Sequence, residues 1–132
     1  MVTSIGQTLW AIPGGHIPLE GTGREPEFSS YDKLNVLNAG DTDAQLELTI
    51  YHHGREPVGP YTFKVAARRC RQVRVNDLIE PEAVPLDEDY SLVIRCDVSV
   101  VVQFTRQDTR SAANALCGTV PFAAGQTGKE TP

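Results

Sequence analysis

The chain has 132 residues, of which 40% are hydrophobic and 22% charged, which is the size and composition of one globular domain. Its net charge of −5 argues against a general affinity for nucleic acid or anionic lipid. The longest strongly apolar run, residues 98–102, is far too short to span a bilayer, and the N-terminus lacks the basic start of a signal peptide. Three widely spaced cysteines without a Cys-x-x-Cys pair indicate reduced thiols. We therefore expect a cytoplasmic protein.

Apolar and polar residues alternate along most of the chain, which is the pattern of half-buried β-strands. In chain order, the predicted strands cover residues 9–12, 34–36, 44–50, 61–67, 73–75, 92–96, 98–104 and 116–122. Segments rich in Gly, Pro, Asn and Asp separate these strands and predict turns. The pattern predicts an all-β fold, an antiparallel β-sandwich with short helical turns at residues 76–79 and 108–116.

The predicted sandwich forms a single domain over residues 1–124, because neither a linker nor an internal repeat divides the chain. Residues 125–132 contain no apolar residue that could attach them to the core, so we expect a disordered tail.

Val100, Val101 and Val102 place apolar side chains on both faces of one predicted strand. A strand in a sandwich sheet whose outer side is not covered normally has one polar face, which contacts water. Two interpretations remain open: the strand is covered on both sides within the monomer, or its outer face contacts another subunit.

The histidines His16, His52 and His53 do not predict a metal site. His52 and His53 are adjacent on a strand, so their side chains point to opposite faces. The loop at residues 11–16 contains glycines but lacks the Gly-Lys-Ser/Thr of a phosphate-binding loop. We expect neither a metal nor another cofactor.

Arg68, Arg69, Arg71 and Arg74 form the densest positive cluster. Strand alternation predicts that Arg69 and Arg71 share one face and that Arg68 and Arg74 share the other. The charge is then split between two faces, and no aromatic residues are interleaved with it to stack on nucleic-acid bases. A solvated or ion-paired strand and a weak contact with an anion or DNA both fit this pattern.

Polar residues gather where the valine strand leaves the core, with Gln103, Arg106, Asp108 and Arg110 in one segment. Arg106 and Asp108 lie on one face of a strand and could pair. The segment is either an ion-paired strand end or the wall of a ligand pocket or interface with a planar guanidinium donor.

Trp10 is the only tryptophan, and it is either a core residue or, with Tyr31 and Tyr51, a stacking surface for a sugar. Glu25 and Glu27 lie together in the following loop, but nothing nearby would separate their pKa values for glycosidase chemistry. Because no arrangement of a nucleophile and a base emerges elsewhere, we expect a protein that is not an enzyme.

Taken together, ordered segments resemble the sensory rhodopsin transducer family along nearly the whole chain. The matching segments include Trp10-Ala11-Ile12 with Ile17-Pro18, Leu37-Asn38-Ala39-Gly40-Asp41, Leu48-Thr49-Ile50-Tyr51, Glu56-Pro57-Val58-Gly59-Pro60-Tyr61, Ala67-Arg68-Arg69, Val73-Arg74-Val75-Asn76-Asp77-Leu78, Val101-Val102-Gln103 with Thr105-Arg106, Asp108 and Arg110, and Asn114-Ala115-Leu116. The resemblance implies a cytoplasmic β-sandwich, a homotetramer, and association with the cytoplasmic face of a membrane rhodopsin. It also implies DNA or a small ligand such as a sugar as further partners.

The leading hypothesis is a non-enzymatic signalling protein that relays a signal by protein–protein contact, and the alternative is a small-molecule or carbohydrate-binding regulatory module. The candidate ligand-binding or interface residues are Trp10, Glu25, Arg68, Arg69, Asn76, Gln103, Arg106, Asp108 and Arg110.

Overall fold

The computed structural model describes residues 4–19, 30–108, 115–119 and 121–123. These residues form the strands β1 (Gln7–His16), β2 (Tyr31–Asn38), β3 (Ala44–His52), β4 (Val58–Val65), β5 (Arg69–Arg74), β6 (Asp89–Asp108), β7 (Ala115–Thr119) and β8 (Phe122–Ala123), with a 3₁₀ turn at Val75–Asp77. Nothing helical within these ranges has the length or the apolar character needed to cross a bilayer. The all-β prediction is confirmed.

The long strand β6 belongs to both layers of the fold. Its first half pairs with β3 from Tyr90 to Cys96, and β1 pairs along its other edge. Its second half pairs with β2 from Val101 to Gln107, and β7 pairs along its other edge. The first layer is therefore ordered β4-β3-β6-β1-β8 and the second β5-β2-β6-β7, with every pairing antiparallel.

The core lies between the two layers and is built from every second residue of the strands. Leu92, Ile94, Val100 and Val102 all lie on the inward face of β6 and are at most 1% exposed. They pack in one cluster with inward residues of β2 and β3, such as Leu34. Burying a side chain of this size contributes about 1.5–3 kcal/mol to stability, so the alternation holds the layers together.

Two parts of the predicted secondary structure are corrected. The strands predicted at residues 92–96 and 98–104 are one strand, because nothing between them interrupts the alternation. The helical turn predicted at residues 108–116 is wrong at both ends, since Asp108 closes β6 and Ala115 opens β7. The turn predicted at residues 76–79 is confirmed as the 3₁₀ turn, which begins one residue earlier, at Val75. The predicted tail lies outside the described residues.

The outer face of the second layer carries an apolar patch, which we call the outer patch and define as Leu37, Cys70 and Val101. These three residues are direct neighbours across β5, β2 and β6. Val101 is half-buried, Cys70 is exposed, and Leu37 is 44% exposed. The part of the monomer that the structure describes thus covers Val101 only in part, whereas Val100 and Val102 face the core.

Candidate functional site

A buried carboxylate, Asp32, organises one end of the sandwich. Asp32 lies on the inward face of β2 and is completely buried. Its carboxylate accepts hydrogen bonds from Tyr90 Oη at 2.6 Å, Arg106 Nε at 2.9 Å and the His16 backbone N–H at 3.0 Å. A buried charge is tolerated when a counter-charge and hydrogen bonds replace its lost hydration. Asp32 has both.

The path of β6 brings two distant residues to this carboxylate. Tyr90 and Arg106 lie near opposite ends of the strand, and a straight extended chain would separate them by about 50 Å. They both reach Asp32 because β6 passes from the first layer into the second. His16 joins them as the last residue of β1.

Asn76 holds the backbone on either side of Tyr31, the residue that precedes Asp32. Its Oδ1 accepts a hydrogen bond from the Asp32 backbone N–H at 3.3 Å, and its Nδ2 donates to the Ser30 carbonyl at 3.1 Å. Asn76 lies in the 3₁₀ turn after β5. The candidate Asn76 therefore belongs to this site as a positioning residue.

An open cleft of about 530 Å³ lies beside Arg106. Its walls include Gly14, His16, Tyr51, His52, His53 and Ser91. Arg106 Nη2 donates to the Gly14 carbonyl at 2.6 Å, which fixes the guanidinium at the edge of the cleft. Pockets of this volume are typical of small-molecule sites.

The charges around the cleft are mixed. His16 Nδ1 lies 2.8 Å from the Asp89 carboxylate, and His16 Nε2 lies 4.0 Å from that of Asp87. Burial, together with the nearby Asp32 charge, raises the pKa of Tyr90 well above its ordinary value. Tyr90 therefore remains a protonated donor to Asp32 at neutral pH.

The cleft offers hydrogen bonds and an aromatic side chain to a polar ligand. Tyr51 is 43% exposed, and the buried Nδ1 of His52 has no hydrogen-bond partner among the described atoms. No cluster of metal-binding side chains is found within the described ranges. The arrangement suits the recognition of a small polar molecule, because aromatic bodies and fixed polar groups are what such sites use.

The structure places Trp10 in the core, where it is 5% exposed, and its indole N–H donates to the Gln7 carbonyl at 3.2 Å. Of the two interpretations of Trp10, this burial supports the core residue and not the stacking surface. Tyr51 lies at the cleft instead, whereas Tyr31 lies in a different groove.

The other candidates are dispersed. Arg68 forms an exposed ion pair with Asp41 at 3.1 Å, and Arg69 is exposed at the start of β5. Gln103 is exposed on the outer face of the second layer, and Asp108 ends β6. Glu25 and Arg110 lie outside the described residues. Arg106 and Asn76 are thus the candidates that the structure brings together around Asp32.

Sequence reasoning missed Asp32, Tyr90 and the role of His16. A signal for Asp32 was present, because it is in phase with the inward-facing Leu34 and Val36 of the same strand. A carboxylate on the buried face of a strand requires partners, and that requirement marks a candidate site.

Comparison with known proteins assigns the family. The sequence profile of the Anabaena sensory rhodopsin transducer family matches residues 5–123. The chain belongs to this family. The predicted resemblance is therefore confirmed over most of the sequence. A comparison with curated proteins gives no match.

Two solved structures are similar to this chain. The Anabaena sensory rhodopsin transducer is 50% identical, with a TM-score of 0.72, and the match covers 78% of this chain and 99% of that one. A crystal structure of Thermotoga maritima 1070 has a TM-score of 0.80 at 24% identity and covers 92% of this chain and 98% of that one. At 24% identity the second likeness concerns the fold alone.

Proposed function

We propose that this protein is a non-enzymatic cytoplasmic signalling protein that relays a signal from a microbial sensory rhodopsin through protein–protein contact. The observation that carries the proposal is the 50% identity with a protein named as a sensory rhodopsin transducer, over 99% of that protein's chain. The family profile spans the strands of both layers, so the whole sandwich takes part in the likeness.

We further propose that the working form is a homotetramer that uses the outer patch. Leu37, Cys70 and Val101 form a continuous apolar surface on a sheet whose opposite face is the core. Association would remove this surface from water. The next row of neighbours across β5, β2 and β6 is polar and borders the outer patch. It consists of Gln72, Asn35 and Gln103.

The signalling proposal is tested with the sensory rhodopsin of the same organism, reconstituted in nanodiscs. The chain is titrated against these nanodiscs in darkness and under illumination, with nanodiscs lacking rhodopsin as the control. We expect saturable binding whose affinity differs between the two light conditions. Equal signals from rhodopsin and empty nanodiscs would refute the proposal, and so would a genome without a rhodopsin gene.

The cleft beside Arg106 favours a second candidate, a small-molecule or carbohydrate-binding regulatory module. The Arg106 guanidinium is held by the buried Asp32 and by the Gly14 carbonyl, so its orientation does not depend on a ligand. A preorganised donor lowers the entropy that binding must overcome.

The second candidate is tested by thermal shift with a panel of sugars and polar metabolites. The cleft variant is Tyr51→Ala, and the matched control is Leu86→Ala, since the two side chains are 43% and 41% exposed and Leu86 does not line the cleft. We expect a compound that stabilises the wild type and the control but not Tyr51→Ala. A panel with no stabilising compound contradicts this candidate.

A further inference from the structure

We propose that a basic groove at the open edge of β5 binds the phosphate group of a small phosphorylated metabolite. The groove has a volume of about 500 Å³ and lies between β5 and β4. The residues that carry the argument are Tyr31, Lys33, Phe63, Arg71, Arg74 and Asp77, all of which line it. Among the described strands β5 pairs with β2 alone, so its other edge faces this groove.

Three cations converge on the groove. Strand alternation predicts that Arg71 and Arg74 point to opposite faces, yet both line this groove because it wraps around the edge of β5. Lys33 joins them from β2, where it is paired with Arg74. Asp77 is the one carboxylate among the lining residues, so the local charge is positive in a chain whose net charge is −5.

The three cations are held by aromatic and neutral groups. Lys33 Nζ and the Arg74 guanidinium lie 5.3 and 5.5 Å from the centroid of the Tyr31 ring. The Arg71 guanidinium lies 5.3 Å from the centroid of Phe63 and donates to the Lys64 carbonyl at 2.8 Å. Cation–π contacts of this kind orient a cation and leave its charge in place.

The same three cations lack ion pairs within the described part of the chain. Arg55, Arg68 and Arg106 each lie within 3.1 Å of a carboxylate oxygen. No described carboxylate forms such a pair with Lys33, Arg71 or Arg74. Within the described part of the chain, no carboxylate therefore offsets their charge, which favours an anion in the groove.

One donor of Arg74, a residue that lines the groove, is buried and unused. Arg74 Nε is shielded from solvent and has no hydrogen-bond partner among the described atoms. A buried charged donor without an acceptor is unfavourable, and an anion oxygen that reached Arg74 Nε would remove that cost. A phosphate monoester suits the site because it carries up to two negative charges and several acceptor oxygens for guanidinium groups.

A small metabolite fits the groove better than a nucleic-acid backbone does. Lys33 and Arg74 both lie against the Tyr31 ring, which reduces the aromatic surface left for base stacking. Duplex binding needs a series of phosphate contacts, and Arg68, which precedes β5, does not line the groove and is paired with Asp41. Lys33 lies on the opposite face of β2 from Asp32, and the groove shares no lining residue with the Arg106 cleft, so this inference is independent of the proposed signalling function and of that cleft.

The test is calorimetric titration of the full chain with glycerol 3-phosphate, with glycerol plus sodium chloride at equal ionic strength as the control. The variants are Arg74→Gln and Lys33→Gln. The matched control variant is Arg69→Gln, which removes the same charge from the same strand outside the groove. We expect saturable binding to the wild type and to Arg69→Gln. We expect each groove variant to bind roughly tenfold more weakly or worse, as for the loss of one charged hydrogen bond.

Circular dichroism checks that each variant folds, and if Arg74→Gln does not, Lys33→Gln decides the question. The inference is overturned if the wild type shows no saturable binding, or if both folded groove variants bind as tightly as it does. It is also overturned if a short DNA duplex binds more tightly than glycerol 3-phosphate, with a steep salt dependence that the groove variants abolish.

Discussion

Burial of the Asp32 carboxylate removes it from water, and three donors replace the hydration that it loses. One donor is charged, Arg106, and its side chain is 27% exposed while that of Asp32 is 0% exposed. The pair therefore links the interior of the sandwich to the wall of the cleft. Because each donor depends on the same acceptor, the three contacts should be lost together when the acceptor changes.

We expect Asp32→Asn to lower the free energy of unfolding by about 3–5 kcal/mol, because it leaves the Arg106 guanidinium without its counter-charge. The matched control is Asp41→Asn, in which the lost ion pair with Arg68 is exposed. That substitution should change stability by about 0.5 kcal/mol or less. Urea denaturation measures both values, and similar losses in the two variants would show that burial of Asp32 is unimportant.

Tyr90 gives the same site a pH dependence. Burial and the Asp32 charge raise its pKa above the ordinary 10.0, so the folded chain keeps the Tyr90 proton at a pH where the unfolded chain releases it. The stabilisation is complete below pH 10 and falls above it, by up to about 1.4 kcal/mol per pH unit. Between pH 10 and 11, the unfolding free energy of Tyr90→Phe should fall less than that of the wild type. Equal slopes in the two proteins would contradict the raised pKa.

At the scale of the elements, most of the fold could be predicted from the alternation of apolar and polar residues. Each of the eight strands in the described residues overlaps a predicted one, although alternation divided β6 at Asp97 and joined β7 and β8 into one strand at residues 116–122. No Gly or Pro separates Cys96 from Val98, and the inward positions stay in phase from Tyr90 to Phe104. A single long strand was therefore readable from the sequence. The bend that returns its second half to the other layer was not, because it depends on which strands pair with each half.

Strand β1 shows how closely two elements approach at the site. Its pairing with β6 is irregular between Ile12 and Gly15, and a Cβ atom on Gly15 would overlap the buried ring of Tyr90. Gly15→Ala should therefore lower the unfolding free energy by about 1–3 kcal/mol, as overpacking does. Gly14→Ala is the control, since nothing lies within 4 Å of its added carbon. Chemical denaturation measures the unfolding free energy of both variants. Equal stability of Gly15→Ala and Gly14→Ala would contradict the close contact between Gly15 and Tyr90.

At the scale of the whole molecule, the site depends on contacts that are distant in sequence. Asp32 is 58 residues from Tyr90 and 74 from Arg106. The periodicity shows that each of these residues faces inward, but it does not show that they meet. The local sequence around Arg106 was enough to choose it as a candidate. It was not enough to identify Asp32 as its partner, because that contact depends on the pairing of β2 with β6.

The proposed tetramer is also a prediction about the whole molecule. Light scattering at two protein concentrations should report four chains for the wild type. Leu37→Glu should shift the assembly to smaller species, because it places a charge within the outer patch. The control is Leu86→Glu, at a residue of similar exposure on a loop. A monomeric wild type at both concentrations, or an unchanged Leu37→Glu assembly, would contradict the proposed interface.

The passage of β6 through both layers has a consequence for how the molecule opens. Its backbone hydrogen bonds connect β1 and β3 in one layer with β2 and β7 in the other, so neither layer can lose β6 without damaging its neighbour. Amide hydrogens in the middle strands of both layers should then exchange with solvent through a common, global event rather than layer by layer. The edge strands β4, β5, β7 and β8, which each pair with one neighbour among the described strands, are the places where local fraying can begin.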